Sequence, residues 1–141
     1  MIRQATSADI AAIAATYEDL LTYEQKHGGD SHWELGVYPT IAVPKRAVPA
    51  GEMVVLEEDG EIRASMILNH AQPAEYADVA WRYPGEGEDV LVVHTLCVPP
   101  RFAGHGYGSR MVQYATEYAA GHGCAVVRLD TYAHNEPAKR L

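Results

Sequence analysis

The apolar and polar positions along this chain change period several times, and each change marks an element. "MIRQAT" predicts a short first strand. Thr6 follows, with Asp9 three residues on, the spacing of a helix N-terminus in which each side chain serves the other's backbone. Ile10, Ile13, Tyr17, Leu20 and Leu21 then recur at helical intervals, so a helix with one apolar face is predicted to about Tyr23. "KHGGD" ends it. Residues 31–50 mix Trp33, Tyr38, Pro39, Pro44 and Pro49 without a clear period, which predicts a short helix or a loop.

"EMVVLEEDGEIRASMIL" reads as a hairpin, two strand-like runs around Asp59-Gly60, a pair favoured in tight turns. The next stretch, "NHAQPAEYADVAWRYPGEGED", is polar and aromatic and too long for a simple turn. Loops of that length often carry function. "VLVVHTLCV" is nearly apolar on both faces, so it belongs inside a sheet. Met111, Ala115, Tyr118 and Ala119 mark a helix face that Gly121 and Gly123 close. "CAVVRLDTY" is another buried strand. "NEPAKRL" begins a helix, with Asn135 as N-cap and Pro137 in its first turn. The order β-α-(loop or helix)-β-β-β-α-β-α holds one β-α-β unit, which needs a parallel pair and a right-handed crossover. The expectation is a single α/β domain over residues 1–141, a mixed sheet with flanking helices.

Charge and cysteine content narrow the partners. The 141 residues carry a net charge of −8. Binding a phosphate backbone needs a basic surface, so no nucleic-acid partner is expected. No apolar run reaches the ~18 residues of a membrane span, so no membrane is expected either. The N-terminus lacks the apolar core of a secretory signal. Cys97 and Cys124 each lie in an apolar strand-like segment. Together these features predict a cytoplasmic protein with buried free thiols. The seven histidines include no pair at helical ligand spacing, and His122 with Cys124 supplies too few ligands for zinc, so no metal is expected.

The chemistry concentrates between the strong strand and the helix after it. Gly104, Gly106 and Gly108 alternate there with bulkier residues. Glycines ahead of a helix let the backbone turn sharply and approach a ligand. The helix start adds unpaired amides and a partial positive charge, which together suit a phosphate. "GHGYGS" holds no Lys or Arg, so backbone amides would supply most donors. A plain strand-to-helix turn needs only one glycine. A Walker loop needs a lysine that is absent here. A dinucleotide fold needs G-x-G-x-x-G, whereas the spacing is G-x-G-x-G, and only eleven residues follow Asp130, the acid at ribose-binding distance.

"LCVPPRFAGHGYGSRMV" resembles the acetyl-CoA-binding signature of the GCN5-related N-acetyltransferase (GNAT) family: a strand ending L-x-V-x-P, then Arg/Gln-x-x-Gly-x-Gly/Ala, then a helix. "RLDTYAHNEPAKRL" is similar to that family's next strand and its N-x-x-A-x-x-L helix. The resemblance implies a GNAT-like acyl-CoA N-acyltransferase fold with acetyl-CoA as co-substrate. It implies acetyl transfer to a primary amine of a small molecule or peptide. The alternative is a non-catalytic acyl-CoA-binding sensor or assembly module of the same fold. By the same resemblance, backbone groups of Leu96, Cys97 and Val98 would pair with the pantetheine arm, and the Leu96 amide would be the oxyanion donor. Ala103, Gly104, His105, Gly106, Tyr107, Gly108 and Ser109 would wrap the pyrophosphate. Asn135 would contact the cofactor near its arm, and Ala138 would leave room at the thioester.

Counting from Pro100 and from Gly108, the family's Arg/Gln falls on Ala103, while Arg101 fits the bare pattern two residues out of register. Family members continue past "KRL" with a tyrosine, a short helix and a strand pair. The C-terminal strands are therefore expected to be missing, with an exposed sheet edge, and so is the tyrosine that often protonates the leaving thiolate. A homodimer is left open.

His94 is the first candidate for general base. It stands two residues before Leu96, so strand alternation predicts that both point to one face. Imidazole also titrates in the range that proton transfer near neutrality needs. Packing is the plainer role for a strand histidine. Glu88 and Asp89 could act instead through a water. Trp33, Tyr38, Tyr76, Trp81 and Tyr83, with acids nearby, could hold an ammonium by cation–π and charge pairing, or else cover the core.

Overall fold

The computed structural model describes residues 1–28, 33–70 and 89–129. The chain opens with β1 (Ile2–Gln4), a 3₁₀ turn (Ser7–Asp9) and α1 (Ile10–His27). Asp9 organises this start. Its Oδ2 accepts the Thr6 amide at 2.8 Å, and its two oxygens accept the Arg3 fork at 2.8 and 2.9 Å. Two parallel charge-assisted bonds fix geometry as well as energy, so the carboxylate ties β1 to the helix start. The hydrogen bonds from Arg3, more than any other cause, hold the Asp9 carboxyl down at about 2. The helix continues past Tyr23 to His27, further than its apolar stripe predicted. The rings of Tyr23 and His27 lie 4.5 Å apart, one turn from each other, and the helix stops where Gly28 takes a φ of 76°.

Residues 33–50 contain one short helix, α2 (Ala42–Ala47). The hairpin is β2 (Met53–Glu58) and β3 (Glu61–Asn69), turned at Asp59 and Gly60, whose φ values of 53° and 77° are those of the tight turn expected of this pair. β4 (Val90–Cys97), a 3₁₀ turn (Pro100–Phe102), α3 (Tyr107–Gly121) and β5 (Val126–Leu129) follow. Among the described residues five strands lie in sequence order, antiparallel as far as β4 and parallel between β4 and β5. β4 is thus paired on both sides, as its apolar run requires.

Each sheet face has its own core. Tyr107, Met111, Ala115 and Ala119 recur every fourth residue and bury one face of α3 against Leu56, Met66, Leu91 and Val93. On the other face Ile13, Tyr17, Val43 and Ala47 cover Met53, Val55, Ile67 and Cys97. Most of the polar excursion, residues 71–88, and residues 130–141 lie outside the described residues. With them lie the sequence candidates Tyr76, Trp81, Tyr83, Glu88, Asn135 and Ala138.

Candidate functional site

The β4–β5 ladder runs from Val90 opposite Val126 to Val93 opposite Leu129. Leu129 is the last described residue of that segment, and the β5 side of β4 from His94 onward lies outside the described residues. On the β3 side the register changes. Ile67 opposes His94, and Ser65 opposes Cys97, so β4 carries one residue more than β3 over this interval. Thr95, with a φ of 50°, takes up the difference as a β-bulge.

The bulge shifts the alternation of the strand. Leu91 and Val93 face α3, and beyond the bulge Leu96 and Val98 pack on that same side. His94 opposes Ile67, whose side chain lies in the core beneath α1 and α2, and Cys97 belongs to that core too. The expectation that His94 shares a face with Leu96 is therefore corrected: the extra residue puts them on opposite faces.

His94 faces the side that also receives residues 33–41. Its Nε2 lies 2.7 Å from Asn69 Oδ1, and Asn69 Nδ2 donates to Glu52 Oε1 at 3.1 Å. The Tyr38 hydroxyl lies 2.6 Å from Thr95 Oγ1. Trp33 is half-buried against the same core, its ring edge-on to Tyr38 at 6.3 Å. His94, Trp33 and Tyr38 thus gather on one side of the bulge. Asp89 is exposed just before the far end of the strand. Beneath the bulge, Tyr17 is fully buried beside Ser65, and burial raises its phenol well above the ordinary value. Burial also pushes the Cys97 thiol up to about 12, which makes it a poor nucleophile. Cys124 is half-buried rather than buried, and neither cysteine is in a disulfide. Thr95, Asn69 and Glu52 were not singled out from the sequence. The one signal was Asn69, a polar residue closing an apolar strand.

The glycine turn lies at the other end of the strand-to-helix connection. Residues 103–106 are exposed. Gly104 and Gly106 have φ values of 81° and 79°, and a Cβ on either would meet nothing within 4 Å. Gly106 is the N-cap of α3. The first backbone bond of the helix runs from Arg110 N to Gly106 O at 3.1 Å, so the amides of Tyr107, Gly108 and Ser109 precede the ladder. The Tyr107 side chain turns inward instead. Its hydroxyl accepts from Arg63 Nη1 at 2.6 Å and donates to Glu58 Oε2 at 3.1 Å, while Arg110 Nη1 reaches Glu58 Oε1 at 2.7 Å. Arg110, followed by Tyr107, holds the Glu58 carboxyl below its ordinary range. This network clamps the helix start to the hairpin and leaves Tyr107 only its backbone for a ligand.

Ala103 closes the 3₁₀ turn, its amide bonded to Pro100 O at 3.0 Å. The Arg101 guanidinium lies over the Phe102 ring at 4.8 Å and 4.0 Å from both Asp19 and Glu61, toward α1 and the hairpin. Among the described residues, no three His, Cys, Asp or Glu side chains gather as a metal site, and no helix is long and apolar enough to cross a membrane.

The sequence profile of the acetyltransferase (GNAT) family matches residues 13–141. The uncharacterized N-acetyltransferase YesJ of Bacillus subtilis (strain 168) is 35% identical over 69 residues, covering 49% of this chain and 37% of that protein. The match therefore spans little more than a third of that relative. Among solved structures, a GNAT-family acetyltransferase from Streptococcus agalactiae 2603 superimposes with a TM-score of 0.81 at 21% identity, over 99% of this chain and 80% of that one. YncA from Salmonella typhimurium, solved with its cofactor acetyl-CoA, gives 0.65 at 21% identity, over 99% of this chain and 74% of that one. These two likenesses concern the fold, a mixed five-stranded sheet with flanking helices. The profile match, over all but the first twelve residues, places the chain in the acetyltransferase (GNAT) family.

Proposed function

We propose that the chain is an acetyl-CoA-dependent N-acetyltransferase acting on a primary amine of a small molecule or peptide. One observation carries the reading: β4, paired on both sides within the sheet, leads through a short turn to the start of α3, where open glycines and three amides ahead of the helix ladder are exposed to a ligand. Extended backbone at Leu96, Cys97 and Val98 suits an amide-bearing arm, and the amides of residues 104–109 suit a diphosphate. Asn135 and Ala138 complete the cofactor side in this reading, and Tyr76 and Trp81 the acceptor side. The acetyl-CoA bound to YncA supports the choice of cofactor.

The acceptor approaches from the α1 side, where His94, Trp33 and Tyr38 gather. A groove of about 540 Å³ between α1 and residues 35–41 offers the Glu18 carboxylate to an ammonium and Leu35 and Ile41 as apolar wall. The amine nitrogen attacks the thioester carbonyl carbon. His94 takes the amine proton, and the backbone amide of Leu96 donates to the developing oxyanion. The C–N bond forms, the C–S bond breaks, and CoA leaves as a thiolate that then takes up a proton.

Incubating the protein with acetyl-CoA and a panel of small primary amines and lysine-bearing peptides tests the reading. Amine-dependent thiol release with an acetylated product is expected. Acetyl-CoA binding without thiol release favours the acyl-CoA sensor, and no binding overturns both.

A further inference from the structure

We propose that Glu52 and Asn69 are positioning residues that set the tautomer of His94, holding its proton on Nε2 and its lone pair on Nδ1. A carboxylate only accepts hydrogen bonds, so the 3.1 Å contact at Glu52 Oε1 comes from the amide nitrogen of Asn69. That fixes which way the amide faces. Its oxygen is then the atom 2.7 Å from His94 Nε2. An amide oxygen cannot donate, so Nε2 carries the hydrogen.

The backbone builds this row. Asn69 ends β3 two residues beyond Ile67, the residue opposite His94, so alternation brings it to the same face. Glu52 directly precedes β2, whose Met53 opposes Ile67. β4, the end of β3 and the residue leading into β2 thus supply the three members. A proton taken up by the neutral ring arrives at Nδ1. The imidazolium then sits two hydrogen bonds from a carboxylate, which plays the orienting part that an aspartate plays directly in a Ser-His-Asp site. The catalytic consequence rests on His94 as proton acceptor of the proposed reaction, whereas the tautomer itself does not.

Ring-nitrogen spectra of protein labelled with ¹⁵N-histidine, recorded above the histidine titration, read the tautomer directly. The His94 signals are assigned by their loss in His94→Gln. The wild-type ring is expected to show Nε2–H and an unprotonated Nδ1. Glu52→Lys reverses the demand, because an ammonium only donates. The amide then turns its nitrogen to His94, and the proton moves to Nδ1. Adding Asn69→Asp to Glu52→Lys restores an acceptor at Nε2 and returns the wild-type pattern. A wild-type ring protonated on Nδ1 overturns the proposal without any variant. So does a folded Glu52→Lys protein whose His94 pattern is unchanged.

Acetyl transfer separates this proposal from the one beneath it. A wrong imidazole tautomer costs about 10⁴-fold in kcat in a Ser-His-Asp site. With His94 as base, Glu52→Lys lowers kcat at least ~10-fold with acetyl-CoA affinity unchanged, and the double variant recovers it. A tautomer that moves while kcat does not upholds the relay and removes His94 from the chemistry.

Discussion

The hydroxyl of Tyr38 lies 2.6 Å from Oγ1 of Thr95, the residue at which β4 bulges. The bond fastens residues 33–41 to the strand where its alternation shifts, and it leaves Tyr38 42% exposed, on the side where the proposed acceptor would approach. Tyr38→Phe keeps the ring and strips the buried Thr95 hydroxyl of this partner. Unfolding in urea should show a loss of about 1 kcal/mol. The acceptor KM should rise while acetyl-CoA affinity stays constant. A parallel fall in acetyl-CoA affinity would mean that the loop serves both ligands.

Gly106 separates backbone strain from ligand contact. Its φ of 79° makes Gly106→Val costly to the fold, by about 1–2 kcal/mol, although the Cβ itself enters open space. Asparagine tolerates that backbone conformation far better. Gly106→Asn should therefore fold normally and place its side chain where the diphosphate is expected, weakening CoA by at least ~10-fold, or about 1.4 kcal/mol, in calorimetry. Wild-type affinity in the folded variant refutes the assignment of residues 104–109.

Ala103 is exposed with a φ of −64°, which any side chain can adopt. Ala103→Arg should tighten CoA by up to about 1.5–3 kcal/mol, the range of a charge-assisted hydrogen bond. Arg101→Ala should leave CoA affinity unchanged, because that guanidinium is directed to Asp19 and Glu61. The reverse pattern of affinities would put Arg101 in the family's Arg/Gln position.

His94→Gln retains a polar side chain and removes the titrating group. A general base contributes about 10²–10⁴-fold, so the variant should lose at least ~100-fold in rate, keep its acetyl-CoA affinity and lose the acidic limb of its pH–rate profile. A rate within about threefold of wild type, with the limb intact, shifts attention to Glu88 and Asp89.

Asp9 sets an acid limit on stability. Its carboxyl titrates at about 2 in the folded chain, against 3.8 for an unperturbed group. A lowered folded value contributes stability that is present above about 4 and lost as pH falls through about 2. Asp9→Asn should cost about 1–3 kcal/mol at neutral pH, with the gap to wild type closing between pH 4 and pH 2. A gap that stays constant over that window would show that the Arg3–Asp9 pair contributes little.

What could be read before the structure was whatever depended on local pattern. The Asp59-Gly60 turn, the apolar stripe of α3 and the run of β4 each follow from neighbours in sequence, and all three elements formed where expected. The glycines also announced the helix start, because only a few backbone conformations need them. The bulge was not legible. Thr95 is an ordinary strand residue by propensity, and its φ of 50° comes from the three-dimensional register between β3 and β4. Reading His94 and Leu96 as neighbours on one face assumed an unbroken alternation. The Glu52–Asn69–His94 row was hidden for the same reason, since its members lie in or next to three strands whose pairing no single segment encodes.

An unbroken strand couples the two surfaces it separates, because any slip moves every side chain at once. The extra residue at Thr95 divides β4 into halves that keep different phase. Changes at His94 are felt by residues 33–41 and α1, and changes at Leu96 or Val98 by α3. Under the proposed function, acceptor choice and cofactor grip would in this way be separate inheritances on a single strand. A lineage can replace one while passing on the other, and a one-residue deletion at the bulge would mix the two.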